Sequence, residues 1–196
     1  MQEEDEKKLV KKALSGDQRA FKTLVDQYER LVLHIVSPLV GISQDREDIC
    51  QDVFVKVYQG LSSFKHNSRL STWIGNIAYN TSVNFLRKKR AFLLDDLKIS
   101  GNENDETIRT DIAPLSEYSE FQELITPEQE LVKKETRLSV SEAIDKLPKL
   151  HKMTVILFHY EELSLKEIGM ILNVPENTVK SYLFRGRNKL KDLIKL

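Results

Sequence analysis

Between Phe21 and Val36 the apolar residues recur every three or four positions: Phe21, Leu24, Val25, Tyr28, Leu31, Val32, Ile35 and Val36. That period lines them along one side of an α-helix. A strand cannot use it, because its side chains change face at every residue. The pattern returns in Ile49, Val53, Val57 and Leu61, and again in Met153, Ile156, Leu157 and Tyr160. No alternation is long enough to define a strand. With 7 glycines and 5 prolines in 196 residues, turn punctuation is too sparse for a β fold. The expected fold class is all-α.

Helix boundaries are marked. Asp17, after Gly16, can accept the free amides of a first turn, and Pro38 and Gly41 close that helix. A second helix follows Ser43, with Asp45, Glu47 and Asp48 near its positive N-terminal end. A third runs from about Ser71 to Lys89. From Ala91 to Thr126 periodicity fades, and Asn, Ser and acidic residues gather around Gly101 and Pro114. A loop that long inside one domain is uncommon, so the stretch reads as a flexible acidic linker between two small helical domains. The expected units are 1–91, 92–126 and 127–196. Thr126-Pro127 with Gln129 restarts helix, and Ser164 with Glu167 forms a second capping box.

The chain carries 30 basic and 30 acidic residues. Net zero, taken alone, argues against nucleic acid. Counted by segment, residues 1–91 carry 15 basic and 11 acidic residues, residues 92–135 carry 4 and 12, and residues 136–196 carry 11 and 7. The order is basic, acidic, basic, and such asymmetry is a signal of its own. No run of about 18 apolar residues occurs, and the acidic start Met-Gln-Glu-Glu-Asp-Glu is unlike a signal peptide. A cytoplasmic protein without membrane insertion is expected. The single cysteine, Cys50, excludes an internal disulfide and reads as an inert, part-buried thiol. No phosphate-binding glycine loop, nucleophile motif or metal-ligand spacing stands out, so no enzyme, cofactor, metal or small-molecule substrate is expected.

Residues 164–191 carry helix-turn-helix patterning. Leu165, Ile168, Ile171 and Leu172 point inward on a short helix, Asn173-Val174-Pro175 breaks it, and Val179, Leu183 and Leu190 line the next. Asn177, Thr178, Lys180, Ser181, Tyr182, Arg185, Arg187 and Lys189 are candidate DNA contacts on that second helix. On the third helix Trp73, Ile77, Asn80, Asn84 and Arg87 share a face, and Lys88 lies in the basic run Arg87 to Arg90. Two amides and a guanidinium make a poor core stripe and a plausible surface for bases and phosphates. Trp73 also reads as core. The loop before it, with Phe64, His66 and Asn67, could hold an unstacked base. On the second helix Asp48, Gln51, Asp52, Val55 and Tyr58 lie off the apolar stripe, either as a protein-binding face or as a solvated one.

Four stretches together give the chain a resemblance: AFKTLVDQYERLVLHIV from Ala20, DREDICQDVFVKVYQGLSSF from Asp45, STWIGNIAYNTSVNFLRKKR from Ser71, and the helix-turn-helix from Ser164. They resemble bacterial sigma factors of the extracytoplasmic-function class, in that family's order. The resemblance implies that Asp48, Gln51, Asp52, Val55 and Tyr58 dock on core RNA polymerase. It implies that Phe64, His66, Asn67, Trp73, Asn80, Asn84, Arg87 and Lys88 hold the melted −10 strand of promoter DNA, and that the C-terminal helix reads the −35 element as duplex. It also implies an anti-sigma partner, and a linker that threads along the polymerase or merely spans it. Asn84 stands where the family often has Asp, and Tyr182 where it often has Arg, which bears on promoter sequence. The competing reading is an autonomous helix-turn-helix regulator.

Overall fold

The computed structural model describes residues 3–100 and 140–194. The chain enters as a short helix α1 (Glu3–Leu14) and turns at Gly16, whose φ of +87° a side chain would resist. Asp17 then caps α2 (Gln18–Val36): its Oδ1 accepts from the Arg19 and Ala20 amides at 2.9 and 3.3 Å. The apolar stripe behaves as its spacing demands, with Leu24, Tyr28, Leu31, Val32 and Ile35 buried. Tyr28 donates to Glu6 at 2.9 Å, and Glu6 also accepts from the Leu70 amide, which pins α1 across the bundle.

Helix α3 (Ser43–Gly60) buries Ile49, Val53 and Val57, and a single 3₁₀ turn over Leu61–Ser63 follows. Helix α4 runs Leu70–Ser100. It buries Leu70, Ile74, Ala78, Thr81 and Ser82, the last donating back to the Ala78 carbonyl at 2.9 Å. The sequence pattern ended this helix near Lys89, but the backbone stays helical for a further eleven residues. The apolar period fades there in the sequence, yet no Gly or Pro interrupts between Gly75 and Gly101, and most residues between them tolerate helix. The rest of the acidic segment, from 101, and the Thr126-Pro127-Gln129 capping signal lie outside the described residues.

The C-terminal unit resumes with helical residues 140–145, then α5 (Lys149–His159), α6 (Leu165–Leu172) and α7 (Glu176–Ile194). Six consecutive residues of α5, Lys152 to Leu157, are buried. Lys152 pairs there with Asp145 at 2.7 Å. The Ser164–Glu167 capping box forms in both directions. Asn173 ends α6 in the left-handed region at φ +55°, and a Cβ on Gly169 would lie 2.8 Å from the Val174 carbonyl oxygen, so the tight turn depends on that glycine. Gly186 does the same for packing: its Cβ would meet Val155 at 2.9 Å where α7 crosses α5. All described regular structure is helical, as expected.

The two helical units are not held apart. Ile35, Ile74 and Val53 of the N-terminal unit belong to one apolar cluster with Met153, Leu157, Ile168, Ile171 and Leu172 of the C-terminal unit. Helix α6 lies on α4, and α5 on α2.

Candidate nucleic-acid interface

Three surfaces carry the candidate residues. The first is the outer side of α3. Asp48, Gln51 and Asp52 are exposed, and Val55 and Tyr58 are 54% and 58% exposed. The Tyr58 ring meets Phe21 edge-on at 5.0 Å. The two rings border a cleft of about 280 Å³, also lined by Ala13, Gly16, Asp17 and Gln18. These open apolar side chains lie beside carboxylates and an amide.

The second surface is the loop before α4 and the outer face of α4. His66 and Asn67 are exposed, His66 at φ +56°. Phe64 and Trp73 are half-buried: their rings lie 5.3 Å apart, His66 covers Phe64 at 4.5 Å, and Trp73 sits over Gly60. Packing therefore takes up part of both rings. Asn80, Asn84, Arg87 and Lys88 are exposed on α4 as their spacing requires. Lys89 turns aside to Asp45 at 2.8 Å, which fixes the basic end of α4 against the start of α3.

The third surface is α7. Asn177, Lys180, Ser181, Arg185, Arg187 and Lys189 are exposed, and Thr178 and Tyr182 are half-buried. Ser181 donates to the Asn177 carbonyl at 3.0 Å, and Lys180 pairs with Glu176 at 3.0 Å. Arg187 stacks over Phe158 at 5.2 Å and reaches His159 Nε2. Tyr182 leans inward to His151, ring to ring at 5.5 Å. Burial first, and then the cations Arg185 and Lys189, lower the pKa of His151; burial and Arg187 do so for His159. Both imidazoles thus sit under a positive field that belongs to α7.

Sequence reasoning missed Phe184, the most exposed large apolar side chain on α7 at 67%. Its signal was available: it lies three residues beyond Ser181 and off the inward set Val179, Leu183 and Leu190. An aromatic beside Ser181 and Arg185 can pack on a thymine methyl in a major groove. Asn76 was missed too. It shares the α4 face with Asn80 and donates to the Met170 carbonyl of α6 at 2.8 Å.

Residues 24–92 match the model for Sigma-70 region 2, and residues 137–190 match that for Sigma-70 region 4. The chain is 34% identical over 186 residues to the ECF RNA polymerase sigma factor SigW of Bacillus subtilis, covering 94% of each chain. The chain belongs to the extracytoplasmic-function sigma factors. These are transcription initiation factors, not catalysts themselves. The sigma-E factor of Escherichia coli K12 is 32% identical over 195 residues, with 95% of each chain covered. Two solved structures share the fold. RpoE of Bartonella quintana, solved with the anti-sigma factor NepR, has a TM-score of 0.63 at 22% identity, over 90% of this chain and 97% of that one. CnrH, solved with the cytosolic domain of CnrY, has 0.58 at 19%, over 95% of both. Among the described residues of this sigma factor, no helix is long and apolar enough to cross a membrane.

Proposed function

We propose that this chain binds core RNA polymerase and directs promoter-specific initiation in the cytoplasm, without catalysis, cofactor or small-molecule substrate of its own. The carrying observation is the pair of family matches, regions 2 and 4 in order, within an alignment to curated sigma factors over 94% of the chain. Residues 1–91 form the polymerase- and −10-binding unit, 92–126 the acidic connection, and 127–196 the −35-binding unit.

The division of labour follows from chemistry. Asp48, Gln51, Asp52, Val55 and Tyr58 dock on the polymerase, supported by the exposure of two apolar side chains among acids and an amide. His66, Asn67, Asn80 and Asn84, with Phe64 and Trp73, hold unpaired bases, because amides read base edges and rings stack on them. Arg87 and Lys88 neutralise phosphates at the end of α4. Helix α7 enters a major groove with Asn177, Thr178, Lys180, Ser181 and Tyr182 leading and Arg185, Arg187 and Lys189 following. An anti-sigma factor, the kind of partner that NepR is to RpoE, regulates access to these faces.

The test is reconstitution. Purified chain is added to sigma-free core polymerase, and complex formation and run-off transcripts are measured. Stable complex and discrete transcripts are expected. Failure to bind core overturns the proposal, and tight sequence-specific duplex binding without polymerase would favour an autonomous regulator instead.

A further inference from the structure

Gly186 lets α7 lie close on α5, because a Cβ there would strike Val155 at 2.9 Å. Val155, Phe158 and His159 are spaced by three and four positions, so they share that face of α5. Arg187, the residue after the glycine, therefore reaches back over the C-terminal end of α5. Its guanidinium lies over the Phe158 ring at 5.2 Å. Its Nε and Nη2 donate to His159 Nε2 at 3.3 and 3.1 Å. A guanidinium has no acceptor of its own, so Nε2 is the unprotonated nitrogen of a neutral imidazole. Burial, and then the charge of Arg187, lower the pKa of His159 and favour that form. The C-terminal end of a helix is also its negative pole, which suits a cation.

This seat orients Arg187 without neutralising it. Lys180, one turn into α7, is paired with the carboxylate of Glu176 at 3.0 Å. Among the described residues no carboxylate pairs with Arg187, and its side chain stays exposed. Arg187 stands well along α7, about 16 Å from Glu176 at about 1.5 Å per residue. That is beyond the leading turns of a recognition helix, which reach base edges, and level with the flanking backbone. A free arginine loses its side-chain freedom on binding, whereas this one is already held.

We propose that His159 is a positioning residue for promoter binding: with the Phe158 ring, it holds the Arg187 guanidinium, fully charged, for one phosphate of the −35 duplex. The inference rests on the sigma-factor reading above and adds the second helix of contacts behind α7. His159 itself touches no DNA in this scheme and acts only through Arg187.

A double-mutant cycle tests it, using the full chain assembled with core polymerase and competed between promoter and unrelated duplexes. His159 is exposed, so replacing it leaves the apolar core intact. His159→Leu should weaken binding about 3- to 10-fold, evenly across sequences. His159→Gln, whose side-chain carbonyl can accept from the same guanidinium, should recover that loss. Arg187→Ala should also weaken binding evenly, and should lower the slope of log affinity against log salt by about 1. On the Arg187→Ala background, His159→Leu should then cost nothing more. An undiminished effect on that background, no effect in the unmodified chain, or a Gln variant no better than Leu overturns the positioning role. A loss confined to one base pair overturns the phosphate assignment. An unmodified chain that binds no promoter with polymerase refutes the sigma-factor reading and this proposal together, whereas failed coupling in a chain that initiates normally refutes the proposal alone.

Discussion

Tyr58→Ala separates the docking proposal from mere surface decoration. Its ring is 58% exposed and leans on Phe21. A tyrosine side chain offers about 200 Å² to bury, so docking can still remove roughly 115 Å² from water. At about 25 cal/mol per Å² that is close to 3 kcal/mol if the ring is wholly covered, and about 2 if it is mostly covered. The expected loss of affinity for core polymerase is therefore roughly 30- to 150-fold. Folding should suffer less, because only the edge-on ring pair is lost, worth about 0.5–1.5 kcal/mol. Titration of fluorescently labelled chain with core polymerase measures the first quantity, and thermal unfolding the second. An affinity within threefold of the unmodified chain would refute the reasoning and return the α3 face to solvent.

Arg185→Ala should cost about 1–3 kcal/mol at the −35 element and relax discrimination at one base pair if the guanidinium reads a base. An equal loss on all duplexes, measured by competition binding of the polymerase complex, would make it a phosphate contact. The pairing of Glu161 with His34 and Arg30 should fail in acid. Burial pushes this carboxyl up, but the hydrogen bond and charge of His34, and then Arg30, outweigh it and leave the pKa below the usual 4.5. Tyr160 also packs on His34 edge-on. A depressed carboxyl stabilises the folded form fully above the usual carboxyl pKa and loses that contribution as pH falls through its own pKa. The melting temperature should therefore fall as pH drops through that depressed pKa, and Glu161→Gln should flatten that part of the profile. Cys50 should be sluggish: burial, and then Glu29, raise its thiol pKa to about 11. At pH 8 alkylation by iodoacetamide should run about 100-fold slower than for a free cysteine, and a rate within fivefold would contradict the packing around α3.

What could be read from the sequence was local. Asp17, Ser164 with Glu167, and the spaced apolar residues of α2 each act within a turn or two, and they formed as expected. The reach of α4 past Arg90 was not legible from pattern, because the three- and four-residue apolar period fades in the sequence there. The packing of the two units against each other was still less legible. Gly75 within Trp73-Ile74-Gly75-Asn76 reads as a helix defect, until Ile171, 96 positions away, occupies the missing side chain's space. Glu161 and His34 likewise meet across 127 positions. An acidic connecting segment argued for two separate units, and nothing in a helical period says whether two units with apolar seams will seal against each other. The exposed residues of α3 and α7 were found because a stripe defines its complement. Phe184 escaped because an aromatic was not sought among cations.

The central claim is that this chain turns core polymerase into a promoter-specific enzyme. Run-off transcription from a library of genomic fragments, with the 5′ ends of the transcripts sequenced, tests it most directly. With the chain present, the ends should cluster downstream of a shared pair of sequence elements spaced as −35 and −10, and Asn80→Ala should weaken strand opening there without loosening the chain from core. Ends scattered as with core alone, or unchanged on adding the chain, would contradict the account.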